Sequence, residues 1–336
     1  MACNVLITAA SRRVPLVLAF KQALRTLGEA GSVVVTDVNP LSPAVHVADR
    51  AYLVPPSQAD GYLDEVSRIC DYEDIRLVIP TIDDELELFG AARARFKNAG
   101  VLVAVSQAST ASICNDKLAT CEQLRAHGIA AAPTWVPSTL PADVAFPLFV
   151  KPRGGRGGVG AYRVNDRREL DFFLSYVGDP VVQEYLDGPE FTLDLLCDFD
   201  GQPISVVPRE RVVIRSGVID RGRTKRDDAL IDLALACSRV LPFAGAINIQ
   251  CRVVNGRPTV FEINPRFSGG IPLTIAAGAD FPRWLVELAL GRHVEPAIGQ
   301  FVSDLWMTSY EASIFLDNDR AATLAASLER PLEDVA

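Results

Sequence analysis

Apolar runs and amphipathic segments alternate along the first third of the chain. Short apolar runs that predict buried strands lie at residues 4–10, 33–38, 77–80 and 101–105. Segments with the apolar spacing of helices lie between them, at residues 14–27, 61–70 and 84–96. Strands that alternate with helices are typical of parallel β-α-β units. The pattern therefore predicts a Rossmann-like, parallel-sheet domain over residues 1–111.

The pattern changes from residue 112 onward. A helix is predicted from Lys117 to His127, and Gly128 would close it as a C-terminal glycine does. A proline-rich stretch then leads into another apolar run. We assign residues 112–182 to a small lid domain.

The remaining residues, 183–336, carry signals for antiparallel strands and helices. Residues 229–240 have helical spacing, and two strand-like runs, 246–254 and 258–263, follow. We assign this part to a larger antiparallel-sheet domain. The tail, residues 321–336, predicts one amphipathic helix with a polar end. The whole chain is thus predicted to combine α/β and α+β architecture.

Composition narrows the classes of function. The chain has 336 residues, a net charge of −9 and a pI near 5.0, and no basic run is long enough to follow a nucleic-acid backbone. No window approaches the roughly 20 apolar residues of a membrane span. Seven cysteines include no Cys-x-x-Cys pair, and three histidines are isolated. We expect a cytoplasmic protein with reduced thiols that binds small molecules, neither nucleic acid nor membrane.

The first strand is followed by polar residues but not by a dinucleotide fingerprint. The turn Ala9-Ala10-Ser11-Arg12-Arg13 lacks Gly-x-Gly-x-x-Gly, so Asp37 is interpreted as a cap at the end of a strand. Open parallel sheets bind ligands at the carboxyl edge of their strands. Four residues predicted at that edge are therefore acceptor-pocket candidates: Arg12, Arg13, Asp83 and Glu85.

Two segments about 110 residues apart carry the strongest candidate chemistry. In the first, Lys151-Pro152 runs into five glycines between Gly154 and Gly160, where backbone N–H groups and a lysine could hold phosphate oxygens. An ordinary hairpin would also explain the glycines. In the second, the turn signal Asn255-Gly256 places Gln250 and Glu262 on neighbouring strands, where pairing can bring both to one face.

Oxygen ligands are what make the second segment a metal candidate. Gln250, Glu262 and Asn264 offer one carboxylate and two amide oxygens, which suit Mg²⁺ bound to nucleotide phosphates. The alternative is an exposed strand edge followed by a turn. A third segment supports the nucleotide interpretation, because a short apolar run ending at Gln183 and Glu184 is followed by a turn and a second strand, as in an adenine-binding hinge.

In the order and spacing of these motifs the chain resembles the ATP-grasp superfamily, and within it the relatives of the carbamoyl phosphate synthetase large subunit. The resemblance covers essentially the whole length. It implies the ATP-grasp fold and a set of ATP-binding residues: Lys117, Lys151, Gly154, Gly155, Gly157, Gly158, Gln183, Glu184, Tyr185, Leu186 and Glu190. It also implies metal ligands at Gln250, Glu262 and Asn264, with Lys151 and Arg266 contacting the transferred phosphoryl group.

Two positions depart from the common pattern of that family. Gln250 stands where many relatives have an acidic residue, which resembles the carbamoyl phosphate synthetase branch and predicts a weaker first metal site. Glu184 stands where some ligases have lysine in the hinge. Because the hinge acts mainly through its backbone, we expect this change to be tolerated.

The resemblance implies an ADP-forming ligase. Mg-ATP, with two Mg²⁺ ions and Mn²⁺ as a substitute, would activate a carboxylate as an acyl phosphate, and an amine would then form an amide or peptide bond. A carbamoyl-phosphate-type reaction on bicarbonate or carbamate is the second hypothesis, favoured by Gln250. A non-catalytic ATP-binding regulatory module is the third. A homodimer is expected only by analogy with the family.

Candidates for substrate binding come from two places. The segment from residue 208 to 226 carries seven basic residues, among them Arg209 and Arg215, which could hold a carboxylate or phosphate through bidentate contacts. A solvated hairpin would show the same alternation. Ser268 and Gly269 are candidates by the resemblance, since the family often binds its acyl substrate just after the position of Arg266.

Overall fold

The computed structural model describes residues 2–155, 158–215 and 217–317. Within these limits the chain forms two compact units. The first contains residues 2–105, 280–294 and 310–317, and the second contains residues 106–279 and 295–309. Residues 280–294, assigned above to the last domain, thus pack with the first unit. Gly157 and the helix expected over residues 321–336 lie outside the described residues.

The first unit is a five-stranded parallel sheet with helices. Its elements are β1 (Asn4–Ile7), α1 (Val14–Leu27), β2 (Val33–Asp37), β3 (Arg50–Leu53), α2 (Tyr62–Tyr72), β4 (Ile75–Ile79), α3 (Asp83–Asn98), β5 (Leu102–Val103) and, from later in the chain, a helix over Phe281–Ala289. The strand order is β3-β2-β1-β4-β5, and every neighbouring pair is parallel. The predicted Rossmann-like domain is confirmed.

Apolar residues account for the elements of this sheet. Every residue of β2 is buried, as expected for a parallel strand covered on both faces. Helix α1 starts with Pro15 in its first turn and ends at Gly28, whose φ of 65° closes it. The helix over Phe281–Ala289 packs against α1. Asp37 caps the end of β2 by accepting from the backbone N–H groups of Ser11 and Asn39.

The second unit contains two sheets. Its elements, in chain order, are α4 (Ala108–Asn115), α5 (Lys117–Ala126), β6 (Thr134–Trp135), β7 (Leu148–Pro152), β8 (Tyr162–Val164), α6 (Arg167–Tyr176), β9 (Pro180–Glu184), β10 (Glu190–Cys197), β11 (Pro203–Arg215), β12 (Val218–Thr224), α7 (Asp228–Val240), β13 (Gly245–Val254), β14 (Arg257–Asn264), α8 (Ile271–Ala276) and β15 (Trp306–Thr308). The helix over Phe281–Ala289 in the first unit is accordingly α9.

The smaller sheet has the order β6-β9-β7-β8 and pairs its strands antiparallel. Leu148 and Val150 of β7 pack with Val164, Leu170 and Val182 into a small apolar core. Since side chains alternate along a strand, Lys151 is directed to the other face of β7. Strands β6 to β8, helix α6 and the start of β9 lie within residues 112–182, the range assigned to the lid.

The larger sheet has the order β14-β13-β10-β11-β12-β15, and all its neighbouring strands are antiparallel. One face is apolar and packs against α5 and α7, with Phe191, Leu193 and Ile249 in its core. Cross-strand partners share a face. The opposite surface, called the polar face below, consists of Glu190, Thr192, Asp194, Arg209, Arg211, Asn248, Gln250, Arg252, Glu262 and Asn264.

The predicted hairpin between β13 and β14 is confirmed. Asn255 and Gly256 form the turn, with φ of 49° and 77°, as a type I′ hairpin turn requires. Gln250 lies opposite Glu262 and Asn248 lies opposite Asn264 in the resulting register. Within the described residues the longest helix, α3, has 16 residues, and no helix is both long and apolar enough to cross a bilayer.

Candidate active site

The predicted metal ligands meet on the polar face. Gln250 of β13 is the direct cross-strand partner of Glu262 on β14, and Asn264 follows two residues later on the same side. Asn264 donates from Nδ2 to Glu262 Oε1 over 3.1 Å, and its Oδ1 accepts from Arg266 Nη2 over 3.2 Å. The hairpin thus brings two amides, one carboxylate and a guanidinium together.

This donor set fits Mg²⁺ in its chemistry. No group of three or more His, Cys, Asp or Glu side chains with metal-site geometry occurs among residues 2–155, 158–215 and 217–317. The site therefore depends on one carboxylate with two neutral amide oxygens, all hard ligands of the kind Mg²⁺ accepts beside phosphate oxygens. A single charge predicts weaker binding of the free ion than a two-carboxylate site would give.

Lys151 lies at the end of β7, beside the hairpin. Its Nζ donates to Gln183 Oε1 over 2.8 Å and to the backbone oxygen of Phe261 over 3.4 Å. The residue is 7% exposed. Burial lowers the pKa of Lys151, and the nearby carboxylate of Glu262 opposes that shift. An anion placed next to this ammonium would compensate for its desolvation.

The Gln183 side chain is buried and hydrogen-bonded to neighbouring side chains. Besides accepting from Lys151, it donates from Nε2 to Thr134 Oγ1 over 2.8 Å, and it is 3% exposed. Its role in this geometry is to position the lysine. The contact between Gln183 and a nucleotide that the resemblance implies would have to use the backbone of Gln183.

Lys117 connects the start of α5 to the glycine loop. Its Nζ donates to the backbone oxygens of Gly154 and Gly155 over 3.3 and 3.0 Å. Asp116 caps the same helix and also binds Arg153, with 2.6 Å between Oδ2 and Nη2. The loop therefore starts from a fixed base. Gly155 has φ of 91°, a conformation that other residues rarely adopt.

The predicted hinge follows β9. The backbone N–H of Glu184 donates to Pro133 O, whereas the Glu184 side chain is exposed. The ring of Tyr185 stacks on Phe149 with 5.6 Å between ring centroids, and Leu186 is buried. Both sides of the hinge are thus tied to neighbouring strands, and its geometry agrees with a backbone rather than a side-chain role for Glu184.

Glu190 is bound by two arginines. Arg211 is one of the seven basic residues between 208 and 226 considered above for a carboxylate or phosphate, whereas Arg252 was not predicted as a site residue. Arg211 Nη1 lies 2.7 Å from Oε1, and Arg252 Nη2 lies 2.7 Å from Oε2. Arg252 also donates to the backbone oxygens of Leu186 and Gly188 over 3.3 Å each. The cluster fixes the carboxylate relative to the hinge. A carboxylate has about four lone-pair directions, so two remain for ligand hydroxyls.

Alternation along the strands was the signal that could have identified these arginines. Arg252 lies two residues beyond Gln250, and Arg211 lies two residues beyond Arg209, so each pair shares a face. The sequence alone could not pair them with Glu190, because that requires the register of three strands.

The remaining candidates of the second unit differ from one another. Arg209 is buried and directs its bidentate edge at Asp194, with Nε–Oδ2 at 2.7 Å and Nη2–Oδ1 at 3.0 Å. Ser268 accepts from the same guanidinium, and Gly269 is exposed beside it. Arg215 is exposed, at 3.9 Å from Asp220, so it has the solvated hairpin position that was the alternative interpretation.

The first-unit candidates lie after β1 and β4, which are neighbours in the sheet. Arg13 Nη2 donates to Thr81 O over 2.9 Å, and Arg12 is exposed. Asp83 is buried at the start of α3. Glu85 is 1% exposed and accepts hydrogen bonds from the hydroxyls of Thr8 and Tyr62. Glu85 is therefore an interior group.

Comparison with known proteins agrees with this geometry. Residues 177–312 match the family described as "ATP-grasp in the biosynthetic pathway with Ter operon", and residues 5–104 match "PylC-like, N-terminal domain". The L-amino acid ligase from Bacillus licheniformis superposes with a TM-score of 0.70 at 18% identity, covering 90% of this chain and 77% of that one. The biotin carboxylase domain of Hydrogenobacter thermophilus 2-oxoglutarate carboxylase gives 0.71 at 15% identity, covering 91% and 74%.

Curated relatives include two kinds of ligase. The carbamoyl phosphate synthase large chain of Caldanaerobacter subterraneus subsp. tengcongensis is 30% identical over 169 residues, which are 45% of this chain and 16% of the relative. The D-alanine–D-alanine ligase of Bacillus anthracis is 27% identical over 203 residues, 52% of this chain and 64% of the relative. Residues 177–312 thus match an ATP-grasp domain, and the predicted resemblance to the ATP-grasp superfamily is confirmed. The similar solved structures confirm the predicted fold. The chain spans 16% to 25% of the length of carbamoyl phosphate synthase large chains that it matches.

Proposed function

We propose that this chain is an ADP-forming ligase that joins a small-molecule carboxylate to an amine at the expense of ATP. The carboxylate oxygen attacks the γ-phosphorus, the bond to the β-phosphate oxygen breaks, and ADP leaves. The amine nitrogen then attacks the acyl carbon, phosphate leaves, and a proton is lost. The product is an amide or peptide bond.

The observation that carries this proposal is the juxtaposition of a buried lysine with the oxygen donors. Lys151 Nζ contacts the backbone oxygen of Phe261, the residue before Glu262. The ammonium group therefore lies near the Glu262 carboxylate at the edge of the polar face. A lone structural lysine would gain nothing from that burial. Phosphoryl transfer needs positive charge and oxygen ligands at one place, because negative charge accumulates on the phosphoryl oxygens.

The residues have distinct roles in the proposal. Gln250, Glu262 and Asn264 would hold Mg²⁺, in two sites with Mn²⁺ as a substitute, and the metal supplies charge neutralisation and alignment. Lys151, Lys117 and Arg266 bind phosphate oxygens from the protein side. Glu184 to Leu186 receive adenine through the backbone, and Glu190 receives the ribose hydroxyls.

Exclusion of water is the second requirement, since water would hydrolyse an acyl phosphate. The glycine loop starting at Gly154 and Gly155, with Gly158 further on, lies next to Lys117 and is proposed to cover the phosphates as a lid. Arg12, Arg13 and Asp83 remain proposals for the acceptor pocket, as do Arg215 and Gly269 for the acyl donor. A cytoplasmic homodimer completes the proposal by analogy with the family.

The experiment is ATP consumption with Mg²⁺ against a matrix of carboxylic acids and amines, with mass spectrometry of all products. ADP that appears only with a particular acid and amine, beside a product lighter than their sum by one water, supports the ligase. AMP and pyrophosphate as products would show the proposal to be wrong.

A carbamoyl-phosphate-type reaction is the second candidate, and Gln250 is the observation that favours it. The amide in the first metal position agrees with the similarity to carbamoyl phosphate synthase large chains. ADP release that depends on bicarbonate alone would favour this reaction over the ligase. ATP binding without turnover on any substrate would favour a regulatory module instead.

A further inference from the structure

Arg209 and Asp194 form an ion pair in the interior of the second unit. They lie on the neighbouring strands β11 and β10, are 1% and 2% exposed, and bind each other through two parallel hydrogen bonds. Neither residue belongs to the nucleotide, metal or hinge set described above. The pair is therefore a charged feature of the polar face that the proposed function leaves without a role.

Stability alone does not explain such a pair. Removing two charges from water is costly, and well-packed apolar residues in place of a buried ion pair are often as stable or more stable. Here the cost is raised further, because Arg209 Nη1 is buried and has no hydrogen-bond partner among the described residues. Because stability does not explain the ion pair, its function is sought in the residues that it contacts.

Both partners of the ion pair hold the same segment. Arg209 Nη2 donates to Ser268 Oγ over 2.9 Å, and Thr274 Oγ1 donates to Asp194 Oδ2. Segment 268–274, which includes the start of α8, is thereby fastened near both ends. It begins two residues after Arg266 and so continues directly from the proposed phosphoryl-binding arginine.

The middle of segment 268–274 lies directly on the guanidinium. A Cβ added to Gly270 would come within 2.3 Å of Arg209 Nη1, and one added to Gly269 within 2.8 Å of a Val218 methyl group. Neither distance is tolerated by real Cβ atoms, so both glycines are needed for the close approach. The segment, the ion pair and the two glycines form one packed arrangement.

We propose that the Arg209–Asp194 ion pair is a positioning device for the acyl-donor substrate. It holds segment 268–274 at a fixed distance from Arg266, so that the carboxylate lies in line with the γ-phosphate. This inference rests on the proposed function, since the carboxylate is placed between Arg266 and segment 268–274. Arg209 is a positioning residue in this account and acts through Ser268.

The test uses a double substitution that removes both charges, Arg209→Met with Asp194→Leu. Because no charge is left buried alone, we expect the midpoint of thermal unfolding to shift by only a few degrees. We expect kcat/KM for the carboxylic acid to fall by about 10²-fold, the effect of a misplacement of roughly 1 Å. Affinity for a non-hydrolysable ATP analogue should change by less than about twofold.

A matched control is available on the same strands. Arg223 of β12 and Glu210 of β11 form a partly exposed ion pair with 2.8 Å between Nε and Oε2. Glu210 directly follows Arg209 on β11, so its side chain lies on the opposite face of the sheet. Arg223→Met with Glu210→Leu should leave kcat/KM for the acid unchanged. A third variant, Arg209→Lys, keeps the charge but loses the planar guanidinium. Its kcat/KM for the acid should therefore fall nearly as far as that of the double variant.

Hydrogen exchange gives a readout that does not depend on turnover. In the Arg209→Met, Asp194→Leu variant, amides of a peptide spanning residues 266–276 should exchange faster than in the unaltered chain, and amides of β13 should not. Unchanged exchange in that peptide would overturn the positioning role. So would an unaltered kcat/KM, or unfolding of this variant while the Arg223→Met, Glu210→Leu variant stays folded.

The outcomes also separate this inference from the proposed function. If no acid supports ADP formation by the unaltered chain, the ligase proposal fails. The exchange rates of residues 266–276 then decide the positioning role alone: faster exchange in the double variant with intact ATP-analogue binding supports it, and equal exchange refutes it.

Discussion

Glu262 is the single carboxylate of the proposed metal set, because Gln250 and Asn264 contribute neutral amides. Replacing Glu262 with alanine removes the only negative ligand charge and should lower turnover by about 10²- to 10³-fold. ATP affinity should fall much less, since the hinge and lysines remain. Steady-state kinetics and equilibrium binding of ATP measure the two effects. Glu210→Ala, on the opposite face of the sheet, is the control. A loss of ATP binding by Glu262→Ala, in a chain that shows no turnover before the substitution, would instead indicate a regulatory module.

Gln250 offers a complementary change in charge. Gln250→Glu would give the first metal position a second carboxylate, so the apparent affinity for Mg²⁺ in ATP turnover should increase by about tenfold or less. Titration of activity against free Mg²⁺ at fixed ATP measures it. A lower affinity for Mg²⁺ in this variant would show that Gln250 does not face the metal.

Glu85 in the first unit makes stability depend on pH. Burial raises its pKa from the ordinary 4.5 to about 7, although hydrogen bonds from Tyr62 and Thr8 oppose the shift. The folded chain therefore holds a proton that the unfolded chain releases between these values, and the free energy of unfolding decreases as pH rises from about 4.5 to about 7.

Glu85→Gln should remove that decrease. Between pH 5 and pH 7.5, the free energy of unfolding of the variant should rise by on the order of 1 to 3 kcal/mol relative to that of the unaltered chain, since one pKa unit corresponds to about 1.4 kcal/mol. Urea unfolding monitored at both pH values measures the difference. A parallel pH dependence of the two proteins would show that Glu85 is ionised in the folded state.

Single residues with recognisable motifs could be predicted from the sequence, and their partners could not. The Asn255-Gly256 turn signal predicts that Gln250 and Glu262 lie on neighbouring strands where pairing can bring both to one face, and the structure pairs them directly. Arg209 could not be assigned to Asp194, because their contact depends on the register of two strands that the local sequence does not fix. A register shift between Leu196 and Cys197 displaces the pairing of β10 and β11 from the one that the Asp200-Gly201 turn signal alone would set. The same reason applies to Arg211 and Arg252.

At the scale of elements, the first turn of α5 couples a helix to the glycine loop. Asp116 caps the helix through two backbone N–H groups and binds Arg153, which directly precedes Gly154. Asp116→Ala should cost about 1 kcal/mol of stability for the lost cap and should also raise the KM for ATP. Asp166→Ala removes the cap of α6 without touching the loop. An equal effect of both variants on KM would contradict the coupling.

Elements with strong apolar periodicity were predicted well, whereas weak ones were missed. The four predicted strands and three helices of the first domain appear within a few residues of their expected bounds. Strand β3, Arg50-Ala51-Tyr52-Leu53, was missed because it lies at a partly exposed sheet edge and has no apolar run. The assignment of α9 to the first unit rests on packing against α1, a long-range contact that local patterns do not encode.

At the scale of the whole molecule, all proposed ATP contacts among the described residues lie in the second unit. Mg-ATP at about 100 times its Kd should stabilise that unit by about 2.7 kcal/mol. Addition of Mg-ATP should then slow hydrogen exchange in β13 and β14 by a larger factor than in β1 and β2. Equal protection of both units would contradict the assignment of the nucleotide to the second unit.

The central claim is that a substrate carboxylate attacks the γ-phosphorus of ATP. Transfer of ¹⁸O tests it most directly: the acid that supports ADP formation is labelled in both carboxylate oxygens, and the released phosphate is examined by mass spectrometry. The account predicts one ¹⁸O in each phosphate, together with ADP. Phosphate without label, or label in AMP, would contradict it.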